Sequence, residues 1–113
     1  MKSFLMAVVL ALMTSQALAV GVADVYQVDY VRIDSNNRGY VQFTSPLIGD
    51  PATCTNKQYY ANVLTFDLNT PSGRAVLALV LQAKATGAKV YAKGRGVCET
   101  YNIAEDWSWG FIQ

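Results

Sequence analysis

The stretch Thr70–Cys98, TPSGRAVLALVLQAKATGAKVYAKGRGVC, reads as one helix, a tight turn and one strand closed by a cysteine, and the rest of the chain is arranged around it. Thr70 suits an N-cap, its hydroxyl accepting from a free N–H of the first turn. Pro71 then falls at the first helical position, where its missing N–H costs nothing. Gly87 follows the last good helix formers and suits the left-handed position after the C-cap, and Lys84 in the last turn meets the negative end of the dipole. At roughly 100° per residue, Leu79, Ala83, Val76, Val80, Leu77 and Leu81 spread over an arc of about 200°, wider than the usual apolar stripe. Two arrangements accommodate such an arc: a helix sunk in the groove of a small barrel, or one whose flank packs on a second subunit.

Upstream, Met1–Ala19 has one charge (Lys2), an apolar run Phe4–Met13 and the small-x-small pattern Ala17-Leu18-Ala19. This reads as a secretory signal peptide with cleavage expected after Ala19, Ala23 being the alternative. The apolar run is too short for a permanent anchor, so no membrane span is expected in the mature form. Residues 20–113 remain, a chain of 113 − 19 = 94 residues expected to form one domain. Without Lys2 the mature chain has eight basic and eight acidic residues and no histidine. Only Lys89, Lys93 and Arg95 lie close together, which argues against a nucleic-acid partner.

Cys54 and Cys98 are expected to form a disulfide, as two cysteines in an exported chain ordinarily do. Their spacing matches no redox or zinc pattern, and two thiols without histidine are a poor metal set, so no cofactor or metal is expected. Closing a loop of that length stabilises by roughly 3–4 kcal/mol in the chain-entropy account.

Period-two patterning predicts strands over Asp24–Asp34, Tyr40–Thr44, Tyr59–Leu68, Ala88–Lys93 and Trp107–Gln113, with an ordered loop at Leu47–Lys57. On the first, Tyr26, Val28 and Tyr30 share a face; on the third, Tyr60, Leu64, Phe66 and Leu68 do; on the last, Trp107, Trp109 and Phe111 do. The order β-β-β-α-β-β is that of a mainly β, OB-fold-like five-stranded small barrel with its helix between the third and fourth strands. An open meander with a helix on one face is the other arrangement, disfavoured because it leaves long apolar edges in an exported protein.

The run D-x-x-T-x-x-G-R-A-x-x-A-x-x-L-x-A-x-A-x-G-x-x-V-x-x-x-G-x-x-x-C is carried by Asp67, Thr70, Gly73, Arg74, Ala75, Ala78, Leu81, Ala83, Ala85, Gly87, Val90, Gly94 and Cys98. It resembles that of small exported proteins of Gram-negative bacteria, which in layout are similar to the B subunits of AB5 toxins, the subtilase-cytotoxin type especially. The resemblance covers about half of the mature chain, in packing and turn residues. It implies an OB-fold, assembly into a homo-oligomeric ring and binding of cell-surface glycans. It carries over no glycan-contacting residue.

Catalysis is not expected. Without histidine, general-base duty falls to a carboxylate, and Ser–His or Cys–His pairs are excluded. Glu105 and Asp106, adjacent in sequence, are expected to point apart at a solvated loop end, and Asp67 and Thr70 to close the turn into the helix.

Twelve aromatic residues remain once Phe4 is removed with the leader, more than so small a barrel hides. Tyr and Trp faces stack on sugar rings while Asn, Asp and Gln take the hydroxyls; the same surfaces also make protein interfaces. Tyr59 and Tyr60, beside Asn56, Lys57, Gln58 and Asn62, rank first as ligand contacts. Trp107 and Trp109 follow, with the competing reading that they fill the barrel core or its rim. Two functional classes stay open: a secreted or periplasmic non-catalytic module that binds a glycan or host surface, and a periplasmic factor that binds a protein partner as inhibitor or assembly component. The wide apolar arc of the helix adds the expectation of a homo-oligomer with helices at the contact, leaving Leu79 on one flank, or Leu77 and Leu81 on the other, near solvent in an isolated subunit.

Overall fold

The computed structural model describes residues 19–113; the expected leader, apart from Ala19, lies outside the described residues. Six strands and two helices follow in order: β1 (Gly21–Ile33), β2 (Arg38–Phe43), β3 (Ile48–Gly49), α1 (Lys57–Tyr60), β4 (Val63–Asp67), α2 (Pro71–Thr86), β5 (Lys89–Gly94) and β6 (Trp107–Ile112). The domain is mainly β, an antiparallel sheet in the order β4-β2-β1-β5-β6, with β3 paired to the start of β1.

β1 is the hub. It pairs with β5 over Val22–Gln27 and with β2 over Val28–Ile33. Register breaks between Ala23 and Tyr26 and between Val28 and Tyr30 bend it at the change of partner, and Val25 sits there at φ 59°. Such bulges raise the local twist. The outer strands β4 and β6 come back toward each other and touch at one parallel bridge, Thr65↔Asp106. No continuous ladder joins them, so the sheet is not closed.

α2 has the ends its sequence predicts. The Thr70 hydroxyl accepts from Gly73 N–H at 3.0 Å, and Gly87 closes the helix at φ 72°. Val80 and Ala83 are buried, and Val76, Leu77 and Leu79 are partly buried against the main core of Ala23, Val41, Phe43, Leu64, Phe66 and Val90. Leu81, on the far flank, stands 49% exposed. Both faces of β4 are covered: Leu64 and Phe66 belong to the main core, while Val63 joins Tyr40 and Ala104 in a second cluster that Tyr60 and Tyr101 flank.

Three expectations from periodicity are corrected. β4 starts at Val63, and Tyr59 and Tyr60 lie instead in the single turn α1. The cause is Asn56, whose side chain accepts from Gln58 N–H at 3.1 Å and whose carbonyl accepts from Tyr60 N–H at 2.8 Å. On β6, Trp107 is separated from Trp109 and Phe111: the first is buried, the others are about half exposed. The register slips between Lys93 and Gly94, so that Trp107 and Ser108 together oppose Gly94. On β1, the break after Val28 puts Val28 inside and Tyr30 outside.

Glu105 and Asp106 point apart as expected, but both are buried, contrary to the solvated loop end expected for them. Glu105 Oε1 accepts from Ala52 N–H at 2.8 Å and Oε2 from Gly96 N–H at 3.1 Å, while Gly21 N–H is shared between the two oxygens. A Cβ on Gly94 would lie 1.7 Å from Oε2, so glycine there is a condition for the carboxylate to be present. Asp106 accepts from Thr65 Oγ1 at 2.8 Å and from the Thr100 and Glu99 N–H groups at 3.1 and 3.2 Å. The Cys54–Cys98 disulfide is formed, with Cα atoms 6.1 Å apart. Such a bond fits an oxidising compartment.

Two stability outcomes follow. Glu105→Gln turns an amide N–H₂ toward backbone N–H donors and leaves at least one buried donor unpaired, with an expected loss of about 1–3 kcal/mol in urea unfolding. Gly87→Val should lose about 1 kcal/mol or more because a β-branched residue resists the left-handed conformation, while the open space around that position excludes a clash as the cause.

Candidate functional site

Cross-strand register assembles a tyrosine-lined face on the side of β1, β2 and β4 away from α2. Tyr30 faces Gln42, Arg32 faces Tyr40, and Tyr40 faces Thr65. Facing residues share a side of the sheet, so these side chains stand together. Tyr40 is at the centre, its ring 6.0–6.3 Å from those of Tyr30, Tyr60 and Tyr101, each in edge-on geometry. Tyr60 arrives from α1 and Tyr101 from the segment between β5 and β6, held by the disulfide and by the Asn56 N–H to Ile103 O bond at 2.8 Å.

Two arginines are fixed on these rings. Arg32 Cζ lies 5.6 Å from the Tyr40 centroid and Arg38 Cζ 4.5 Å from that of Tyr101, within cation–π range. Arg32 Nε donates to Asp34 Oδ1 at 2.9 Å, and the Tyr101 hydroxyl donates to Asp34 Oδ2 at 2.5 Å. The Tyr101 bond first, and the Arg32 bond next, hold the Asp34 carboxyl below its usual range. Burial first, and then Asp34, push the Tyr101 phenol above its usual range.

Outward of this network the face stays open. Tyr30 is 41% exposed, with its hydroxyl donating to Gln42 Oε1 at 2.8 Å and Gln42 Nε2 donating to Asp29 Oδ2 at 3.2 Å. An aromatic ring is thus flanked by a carboxylate, an amide and, two residues further along the same strand, Arg32. The cavity beneath, lined by Tyr40, Tyr60 and Tyr101, is about 40 Å³. That is room for a water, so anything larger must sit on the surface.

A separate cleft of about 400 Å³ opens at the seam where β4 and β6 diverge, its floor made by Phe66, Val76 and Trp107 and its rim by Asp67, Thr70 and Arg95. Arg95 is engaged there, its guanidinium 3.5 Å from both Glu99 and Asp106. Among the described residues no group of three or more His, Cys, Asp and Glu is placed to hold a metal ion. No helix among them is long and apolar enough to cross a membrane.

No family model, curated protein or solved structure matches the chain. The residues singled out in the sequence divide among several places. Asn56 and Tyr59 are exposed on and beside α1, and Tyr60 is part of the wall of the tyrosine face. Asn62 is half-buried and donates to Phe43 O at 3.1 Å, a bond within the fold. Trp107 is buried beneath the seam cleft. Trp109 lies on β6 against Tyr91 and Phe111, apart from the tyrosine face. Tyr30, Arg32, Tyr40, Gln42 and Tyr101 were not singled out, although pairing DYVRID with YVQF across the Asn36-Asn37 turn brings the first four together. Tyr101 had no such signal.

The Asp34–Tyr101 pair makes stability depend on pH at both ends. With its pKa lowered, Asp34 contributes fully above the ordinary carboxylate value of about 4, and the contribution is lost as pH falls through its folded value. With its pKa raised, Tyr101 contributes fully below about pH 10 and loses that contribution as pH rises through its folded value. Tyr101→Phe should flatten the alkaline fall in melting temperature and Asp34→Asn the acid fall, read from thermal scans between pH 3 and 11.

Proposed function

We propose that the protein is an exported, non-catalytic binding module that holds a saccharide on its tyrosine-lined face. The observation that carries the proposal is the open ring of Tyr30 set beside Asp29, Gln42 and Arg32. Sugar C–H groups stack on such a ring, and hydroxyls need paired donors and acceptors within reach of it. The rigid Tyr40 network beneath positions these groups before a ligand arrives, which lowers the entropy lost on binding.

Topology supports the same reading. With α2 between β4 and β5 and a parallel approach of β4 to β6, the order β4-β2-β1-β5-β6 fits an OB-type barrel to which β3 has been added. In that fold the surface of the second and third strands, with the loops after the first strand and between the last two, binds oligosaccharides and oligonucleotides. Those elements here are β2 and β4, the 34–37 turn and the 95–106 segment. The balanced charge expected of the mature chain favours a saccharide over a nucleic acid. The resemblance to AB5 B subunits points the same way, and the disulfide supports an oxidising, extracytoplasmic location.

The test is an oligosaccharide array probed with the mature protein, followed by titration of the best binder. Tyr30→Ala should weaken binding at least tenfold while leaving the circular dichroism spectrum and melting temperature close to wild type, since the ring is partly solvated. Absence of saccharide binding by the folded wild type refutes the proposal, as does a Tyr30→Ala variant that binds undiminished.

A further inference from the structure

The outer side of β5 and β6 carries a second aromatic group that the saccharide face does not use. Tyr91 and Phe111 face each other across the strands, as do Lys93 and Trp109. The three rings lie 5.3–6.4 Å apart with planes within 40° of one another, and Trp109 and Phe111 are each nearly half exposed. Within the β5–β6 ladder the rings face one another or Lys93, which lies over the Trp109 ring at 6.0 Å. That makes the strip a poor sugar site and a good apolar contact.

The free edge of β6 runs beside this strip. Gln113 N–H donates to Lys89 O at 2.8 Å, and bonded and non-bonded pairs alternate in an antiparallel ladder. Tyr91 with Phe111 and Lys93 with Trp109 are therefore bonded pairs, and the N–H and C=O groups of Gly110 and Ile112 point away from β5. They carry no hydrogen bond to another described group. Sheet edges are ordinarily blunted by charge, proline or a bulge. Trp107–Gln113 has neither charge nor proline, and its one bulge falls at Trp107-Ser108, leaving 109–112 regular.

We propose that this edge is the contact of a homodimer in which two copies of β6 pair antiparallel about a twofold axis at Phe111. The edge is self-complementary in that register. Gly110 faces Ile112 of the partner subunit and Ile112 faces Gly110 of the partner subunit, so the two outward donors and two outward acceptors of each copy are all used, in four hydrogen bonds. Phe111 faces Phe111 of the partner subunit as a non-bonded pair, the closer kind. The two aromatic strips then join into one cluster of six rings, and no like charges meet, because β6 carries none and Lys93 is one strand removed. An isologous contact of this kind closes on itself and leaves no further edge to grow from. The proposal uses none of the groups of the saccharide face and stands or falls independently of it.

Light scattering on the mature protein, from low micromolar to near-millimolar concentration, should show the mass doubling. Phe111→Lys and Phe111→Glu should each shift the midpoint of that transition at least tenfold upward, and an equimolar mixture of the two should restore the dimer, since the charges oppose each other at the axis. Amide exchange at Gly110 and Ile112 in the wild type should slow at least tenfold as concentration rises, a readout that holds even if a variant fails to fold. A wild type that stays monomeric throughout overturns the proposal. So does a dimer whose mass ignores both variants, a mixture that stays monomeric while both variants are folded, exchange at these amides that is independent of concentration, or protection that appears only with an unrelated extended peptide.

Discussion

The carboxylate of Glu105 is the constraint on which the arrangement depends. It is buried, and it gathers backbone N–H groups from three places distant in sequence: the first residue of β1, the loop before α1, and the segment that leaves β5. A buried charge is tolerated only where hydrogen bonds replace its lost hydration, and backbone donors do so without adding a second charge. Because Asp106 follows directly and points the other way to Thr65, Glu99 and Thr100, the two residues act as a rivet. One side secures the start of β1 and the other secures β4 and the covering segment.

The bulges determine what the sheet can present. β1 changes partner from β5 to β2 across its two register breaks, and that change lets one strand serve both halves of the sheet. The break after Val28 sends Tyr30 outward, and the break at Gly94 sends Trp107 inward while leaving Trp109 outside. Each aromatic surface is thus a product of one extra residue in a ladder.

Local signals in the sequence specify much of this fold. The caps of α2, the glycine at its end, the five main strands and the disulfide all rest on interactions within a few residues or on a pairing with no competitor. What escaped reading is non-local. Asn56 nucleates a turn where YYANVLTF shows a period of two, and the two-residue β3 exists only because Gly21 and Val22 are there to pair with it. The burial of Glu105 leaves no mark near it, since its donors lie up to 84 residues away. Half of the tyrosine face was readable from the β1–β2 turn, whereas Tyr101 arrives by way of the disulfide-tethered segment, whose path no periodicity encodes.

Two indoles separated by a single serine, one inside and one outside, give the molecule a pair of optical probes on one strand. Trp107 is nine-tenths enclosed beneath the seam cleft and Trp109 is half in water, so the first should emit at shorter wavelength and resist a soluble quencher such as iodide, and the second should emit to the red and be quenched. Loss of the blue component therefore follows unpacking of the interior, and a shift of the red one follows events at the outer surface. Folding and surface recognition in this chain can be watched in the same cuvette, at different colours.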